Sequence, residues 1–269
     1  MAAMGSNKAQ KLYLRVSPEV LSFVVYHPYG GRPPVVENYE VNPTASLNVN
    51  LREALATLPL AQENYSSVEV LLNVPYTLKP IELFNEEQAE AIYRQCFRNS
   101  GHTRVFYDMA GILGAALIYG ISDAFCRVIE DSFPSYHYSS TTTEVAIRFA
   151  SAAREKAGTS LYAYHHEGVM DMFVFTNGEL QLANRYKTKD AGDATYFVML
   201  AVQTLHLNTI KDNFVVVDEG QKDGGLAERL RKFLRNVEES DREKSFGRTP
   251  LSKAANIPYD MTAFLMQPY

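Results

Sequence analysis

The chain holds 269 residues, 46% of them hydrophobic, enough for one large or two medium packed domains. Its formal charge of −5 comes without a basic block, since Arg229, Arg231 and Lys232 stand among Glu228, Glu238 and Glu239, which argues against nucleic acid as a main partner. No stretch approaches a signal peptide or the ~18 apolar residues of a membrane span, and Cys96 and Cys126 match no metal-site spacing. The expectation is a cytoplasmic protein with buried free thiols and no direct membrane insertion.

Strands are expected near 11–16 and 19–26, followed by a turn through the Pro- and Gly-rich stretch 28–34 and a third strand over 35–41. Leu51, Leu55 and Leu58 mark one face of a helix that Pro59 stops, and Val68–Leu72 reads as a fourth strand, buried on both faces over its last residues. Asn85 with Gln88 resembles a capping box for a helix that keeps Ala89, Ile92, Cys96 and Phe97 on one side. These elements make one β-β-β-α-β-α unit.

Strands at 104–108 and 115–120 come next, then a helix from a Ser122 cap to Phe133 and a short strand at 136–139. Thr141 and Glu144 fit the Ser/Thr-x-x-Glu capping rule for a helix that stops at Ala157 and Gly158. Val169–Thr176 and Leu180–Tyr186 then flank Asn177-Gly178, the strongest short hairpin signal a sequence carries. A helix from about 192 to 206, a buried parallel strand at Phe214–Val217 and an amphipathic closing helix bearing Leu226, Leu230, Phe233, Leu234 and Val237 repeat the β-β-β-α-β-α order. Residues 12–25 also align without a gap on 161–174, an offset of 149, with Leu12/Leu161, Tyr13/Tyr162, Val20/Val169 and Val25/Val174 identical. The expected organisation is a first half at 10–158 that includes a connecting α/β segment, a second half at 159–240, and a C-terminal tail at 241–269 whose apolar end docks on the body or stays loose.

This order of elements resembles the actin-like ATPase fold, an α/β architecture of two ribonuclease-H-like β-β-β-α-β-α halves. Through Leu78-Lys79-Pro80, Leu117–Ser122 and Phe133-Pro134 the chain is similar to a bacterial family known as domain of unknown function 3822. The resemblance implies a cleft between the halves, with an Asp-x-Gly-Thr/Ser-like turn in the first hairpin of each to face phosphates and help hold magnesium. Here those turns are Arg15-Val16-Ser17-Pro18 and His165-His166-Glu167-Gly168, and neither carries the motif. The expected function is a non-catalytic binding or scaffolding protein with a degenerate nucleotide cleft, protein partners and no cofactor. The alternative is an ATP-dependent phosphotransferase or ATPase that takes Mg-ATP at an unconventional phosphate site.

For that alternative the candidate nucleotide-binding residues are Asp218, Asp223, Gly224, Gly225 and Asp171. The first four lie in a loop that leaves a strand and enters a helix, where paired glycines let backbone approach a phosphate or ribose. A plain loop accounts for them too, because Asp218, Glu219 and Asp223 repel an anion unless a metal intervenes. Asp171 stands opposite Ser22 in the repeat, and otherwise faces solvent on its alternating strand. No catalytic residue and no metal ligand is assigned. Asp190 or Asp193 reads as a helix cap and Asp108 as the start of an ordinary turn. His165, His166 and Glu167 read as a solvated hairpin tip whose adjacent histidines point to opposite faces. Tyr136 and Tyr138, on one face of a short edge strand, are a candidate protein-docking surface, with the tail as a second; packing under the neighbouring helix is the competing expectation.

Overall fold

The computed structural model describes residues 10–28, 31–98, 101–220 and 225–267. Five strands, β1 (Lys11–Val16), β2 (Val20–Val25), β3 (Val35–Glu40), β4 (Ser67–Leu72) and β8 (Tyr136–Ser140), form the first sheet in the order β3-β2-β1-β4-β8. A second sheet of β9 (Thr159–His166), β10 (Val169–Thr176), β11 (Glu179–Lys187), β12 (Asn213–Asp218) and β13 (Val237–Ser240) has the order β11-β10-β9-β12-β13, the same topology. The repeat also holds in register. Tyr13 faces Val24 and Tyr162 faces Phe173, so the offset of 149 (13 to 162, 24 to 173) carries over into the hydrogen-bonded pairs.

Between β4 and β8 the first half carries a separate three-stranded sheet of β5 (Tyr76–Pro80), β7 (Ala115–Ser122) and β6 (Thr103–Ala110). Of these, β5 was not expected; five residues ending in a proline give little strand signal, and only pairing with β7 defines it. The helix α2 (Ala89–Cys96) lies on this sheet and buries Ala89 and Tyr93, while Cys96 is exposed. This corrects two expectations, the apolar face that included Cys96 and the burial of both thiols; Cys126 alone is buried.

The remaining helices follow local signals closely. In α1 (Leu47–Thr57) Leu51 and Ala54 are buried, and α3 (Asp123–Ser132) starts where the Ser122 hydroxyl accepts from the Phe125 amide. The helix α4 (Thr141–Arg154) is capped one residue earlier than expected, by Ser140, which accepts from the Thr142 amide. The expected Asn177-Gly178 turn closes β10 on β11, with both residues at positive φ (52° and 82°) as a primed hairpin turn requires. Asp190 caps α5 (Ala191–Thr204), accepting from the Gly192 and Asp193 amides.

The closing helix is a correction. Only Leu226–Leu230 is helical (α6); the chain then turns and Val237–Ser240 pairs in parallel with β12, while Phe233 is left 58% exposed. Leu226, Leu230 and Leu234 are buried, so the helix-spaced leucines are met by one turn of helix and a bend. The polar tail forms α7 (Arg242–Phe246), and the apolar end forms α8 (Tyr259–Leu265) and docks. Met261 and Leu265 join Tyr13, Val24 and Leu71 in a core on the outer face of the first sheet.

The largest core runs through both halves, from Leu12, Leu14 and Phe23 to Tyr162, Tyr164 and Phe173, with Phe149 of α4 stacked on Tyr162 at a ring distance of 4.9 Å. The opposite face of the second sheet packs α5 and α6 around Leu161, Met172 and Phe214.

Candidate functional site

The first hairpin of each half brings its turn to the boundary between the halves, and there the two turns touch. Arg15, in strand β1 among Leu12, Tyr13, Leu14 and Val16, is 2% exposed and projects from the face opposite Leu14. Its Nη1 and Nη2 donate to the two carboxylate oxygens of Glu167 at 2.9 and 3.0 Å. Its Nε and Nη2 also donate to Asp260 of α8, at 2.8 Å each for the shorter contacts. The Ser17 hydroxyl donates to Glu167 at 3.0 Å and Asn73 Nδ2 at 2.7 Å, so the Glu167 carboxylate is ringed by donors from the first half.

Burial by itself lowers the Arg15 pKa and raises that of Glu167, but the charges reverse both effects. Asp260 and Glu167 hold the guanidinium charged, and Arg15 holds the Glu167 carboxyl below its usual range. Glu167 sits at φ 40°, the left-handed region that a residue with a side chain rarely adopts.

A second cluster joins the halves further in. Arg185 of β11 donates through Nε and Nη2 to Asp171 at 2.8 and 2.7 Å, and reaches across to the Val74 carbonyl and the Thr142 hydroxyl at 2.9 Å each. His166 Nε2 lies 3.1 Å from Asp171, and the His166 ring stacks on Tyr164 at 4.0 Å between centroids. Burial pushes the Asp171 pKa up, yet the Arg185 charge carries it well below the ordinary carboxylate range. Glu219, just after β12, accepts from the Tyr164 hydroxyl at 2.7 Å and from the Tyr259 amide at 2.9 Å, tying the second half to the start of α8. Burial raises the Glu219 pKa, and the neighbouring Asp260 charge adds to that rise.

Asp171 is thus 1% exposed, which corrects the expectation that it faces solvent. His165 and His166 are likewise buried, at 3% and 2%, so the solvated hairpin tip is corrected too; the strand continues through both, and each ring finds a carboxylate on its own face. Asp218 accepts from the Gly220 and Leu226 amides at 3.1 and 2.8 Å, and its Oδ1 lies 2.9 Å from His165 Nδ1. Gly225 is the N-cap of α6. Asp223 and Gly224 lie outside the described residues. Asp218 pairs across the sheet with His165 and Asp171 with Tyr164, so the two aspartates project from opposite faces and are not brought together.

Asp108 lies within β6, where its carboxylate accepts from the Ser140 amide at 2.8 Å, the Thr143 hydroxyl at 2.6 Å and the Tyr119 hydroxyl at 2.7 Å. It anchors the start of α4 and does not open a turn. Tyr138 is buried and stacks on Phe106 at 4.4 Å, while Tyr136 remains 40% exposed beside it. Sequence reasoning missed Arg15, Asp260, Arg185 and Glu219. Arg15 had a signal, a lone charge among Leu12, Tyr13, Leu14 and Val16, since a charge in a doubly covered strand requires a partner.

Among the described residues no group of three or more His, Cys, Asp or Glu side chains is placed to hold a metal ion, and no helix is long and apolar enough to cross a membrane. Two sheets of one topology, facing each other through their first hairpin turns, define a two-lobed protein of actin-like ATPase fold. A solved structure from Bacteroides thetaiotaomicron, described as a protein with actin-like ATPase fold and unknown function, superposes with a TM-score of 0.81 at 23% identity, over 97% of each chain. The PilM-PilN type IV pilus biogenesis complex superposes with a TM-score of 0.58 at 10% identity, over 96% of this chain and 95% of that one. The chain belongs to the family described as protein of unknown function DUF3822, whose model matches residues 3–237. No curated protein matches it.

Proposed function

We propose that this protein is a non-catalytic binding or scaffolding module whose nucleotide cleft is filled by its own side chains and whose partners are proteins. The observation that carries this reading is the Arg15–Glu167 pair, supported by Ser17 and Asn73. Phosphoryl transfer depends on magnesium and donors positioned around the transferred group. At these turns the donors are spent on a carboxylate of the chain, and that carboxylate is an anion where a phosphate would have to enter. Protein partners are favoured by analogy of fold with a neighbour that forms a pilus-assembly complex. An acidic chain without a basic block fits a protein partner better than nucleic acid, and a cytoplasmic setting belongs to the same reading.

A thermal-shift and hydrolysis assay with Mg-ATP tests it. A ligand at 100 times its dissociation constant adds about 2.7 kcal/mol to stability, so binding would be visible. The expected result is no shift and no turnover above background. Magnesium-dependent hydrolysis that disappears in Asp218→Ala or Asp171→Ala would overturn it, and would favour an ATP-dependent phosphotransferase or ATPase built either on Asp218, Asp223, Gly224 and Gly225 or, on the opposite face of the sheet, on Asp171.

A further inference from the structure

The start of α4 leaves one carboxylate without a structural role. The sequence assigns Glu144 to a capping box with Thr141, but the cap falls one residue earlier, on Ser140, and Glu144 lies one position beyond the box. The Ser140 amide, which a capping-box carboxylate would take, donates instead to Asp108 at 2.8 Å, and the Thr143 hydroxyl donates to the same carboxylate at 2.6 Å. Asp108 of β6 thus does the capping, and Glu144 is released from it. Among the described residues no cation is bonded to either carboxylate: Asp108 accepts from three uncharged donors, and Glu144 meets the Gln267 side chain of the segment after α8.

Both carboxylates line a cavity of about 520 Å³, whose other walls include the rings of Tyr13, Tyr107 and Phe264. Tyr13 and Phe264 meet edge to face at 6.1 Å. An ammonium already uses this wall: Lys11 Nζ lies 5.9 Å from the centre of the Tyr13 ring. Its charge is matched, because Glu69 pairs with it at 2.6 Å and with His137 at 3.1 Å. Asp108 and Glu144 are then the charges left over. Burial pushes the Glu144 pKa up to about 7; the Gln267 side chain opposes the rise and the Asp108 charge adds to it, although a helix start by itself favours an anion. A cation between the two carboxylates relieves their repulsion. Aromatic walls suit an organic cation better than a metal ion, and among the described residues no group of three or more His, Cys, Asp or Glu is placed to hold a metal.

We propose that this cavity binds an organic cation of the alkylammonium class, a free amine or the side chain of a lysine, with its charge on Glu144 and Asp108 and its aliphatic stem against Tyr13, Tyr107 and Phe264. The cavity is large enough for such a ligand and combines apolar walls with a few convergent polar groups. It shares no residue with the Arg15 and Arg185 clusters, so the site stands whether or not the cleft between the halves is filled.

The test is calorimetric titration of the full-length chain with cadaverine, with the blocked peptide acetyl-Gly-Lys-Gly-amide and with pentanol as the uncharged control. A cation binds the ionised form of Glu144, so affinity is present above the Glu144 pKa of about 7 and lost as the pH falls through it. Between about pH 6 and about pH 8 an amine is therefore expected to gain about tenfold in affinity, while pentanol shows no such gain. His137, whose pKa the Glu69 hydrogen bond raises, acts in the same direction when protonated. Glu144→Gln keeps His137, Lys11, Glu69 and Asp108, and is expected to weaken amine binding at the higher pH at least about tenfold and to remove most of its pH dependence. Tighter binding of the peptide assigns the site to a lysine of a protein partner, and tighter binding of cadaverine to a free amine. No binding of either amine, equal binding of pentanol, or a pH dependence unchanged in Glu144→Gln would overturn the proposal. Should Glu144→Gln not fold, wild type decides alone: a bound cation lowers the Glu144 pKa, so binding near neutral pH is expected to release protons, seen as a heat that varies with the ionisation enthalpy of the buffer, and amine binding without proton release overturns the proposal equally.

Discussion

Asp260 does for Arg15 from inside the core what Glu167 does from the opposite turn. It is fully buried, accepts from Nε and Nη2, and also takes the Met261 amide at 2.6 Å. Removing one member of a buried pair leaves the other charge without compensation, at a cost of about 3–5 kcal/mol, whereas an exposed pair is worth about 0–1 kcal/mol. Asp260→Asn, which keeps the shape and removes the charge, is therefore expected to lower stability in urea unfolding by about 3 kcal/mol or more. Glu90→Gln, which breaks the exposed i,i+4 pair with Arg94, is expected to change it by less than about 0.5 kcal/mol. Similar effects for the two variants would mean that the Arg15 cluster is not the buried network described.

At the scale of elements, features written into neighbouring residues were legible and those made by distant pairing were not. The Asn177-Gly178 hairpin and the Ser122 and Asp190 caps were readable because each depends on a few adjacent residues. β13 was not, since Val237–Ser240 becomes a strand only by lying beside β12, while its apolar neighbours keep helical spacing. Asn236 helps enforce this, donating from Nδ2 to the Ile210 carbonyl at 2.9 Å, and the Arg235 amide bonds the Thr209 carbonyl. The site was legible only as a place. The two turns were located, but Arg15 and Asp260 are 245 positions apart, and no local pattern records that they meet. The difference between helix and bend is measurable: Phe233→Ser is expected to stay within about 0.5 kcal/mol of wild type, and Leu234→Ala to cost about 2–5 kcal/mol. A large loss for Phe233→Ser in chemical denaturation would restore the continuous amphipathic helix.

For the whole molecule, the tail is part of the duplication. α4 follows β8 and lays Phe149 against Tyr162 and Phe173 of the second sheet; α8 follows β13 and lays Met261 and Leu265 against Tyr13 and Val24 of the first. The last helix of each half thus covers the sheet of the other, and α4 and α8 meet, with Phe149 and Tyr259 rings 6.0 Å apart. The two halves cannot then be independent folding units, because each completes its core with a helix borrowed from its neighbour. Deleting residues 241–269 is expected to strip the outer face of the first sheet, expose Tyr13, Val24 and Leu71, and leave Arg15 without Asp260. Loss of a buried leucine-sized side chain costs about 2–5 kcal/mol, and this deletion removes several together with a buried counter-charge, against a total stability of about 5–15 kcal/mol. Hydrogen exchange on the truncated chain should therefore show protection lost in β1 and β2, with dye-binding apolar surface exposed. Protection should persist longest under α5, whose packing on Leu161, Met172 and Phe214 does not involve the tail. A truncated chain that melts cooperatively at the wild-type temperature, with β1 and β2 still protected, would show that the tail is an appendage and that the exchange of helices between halves is not what holds them together.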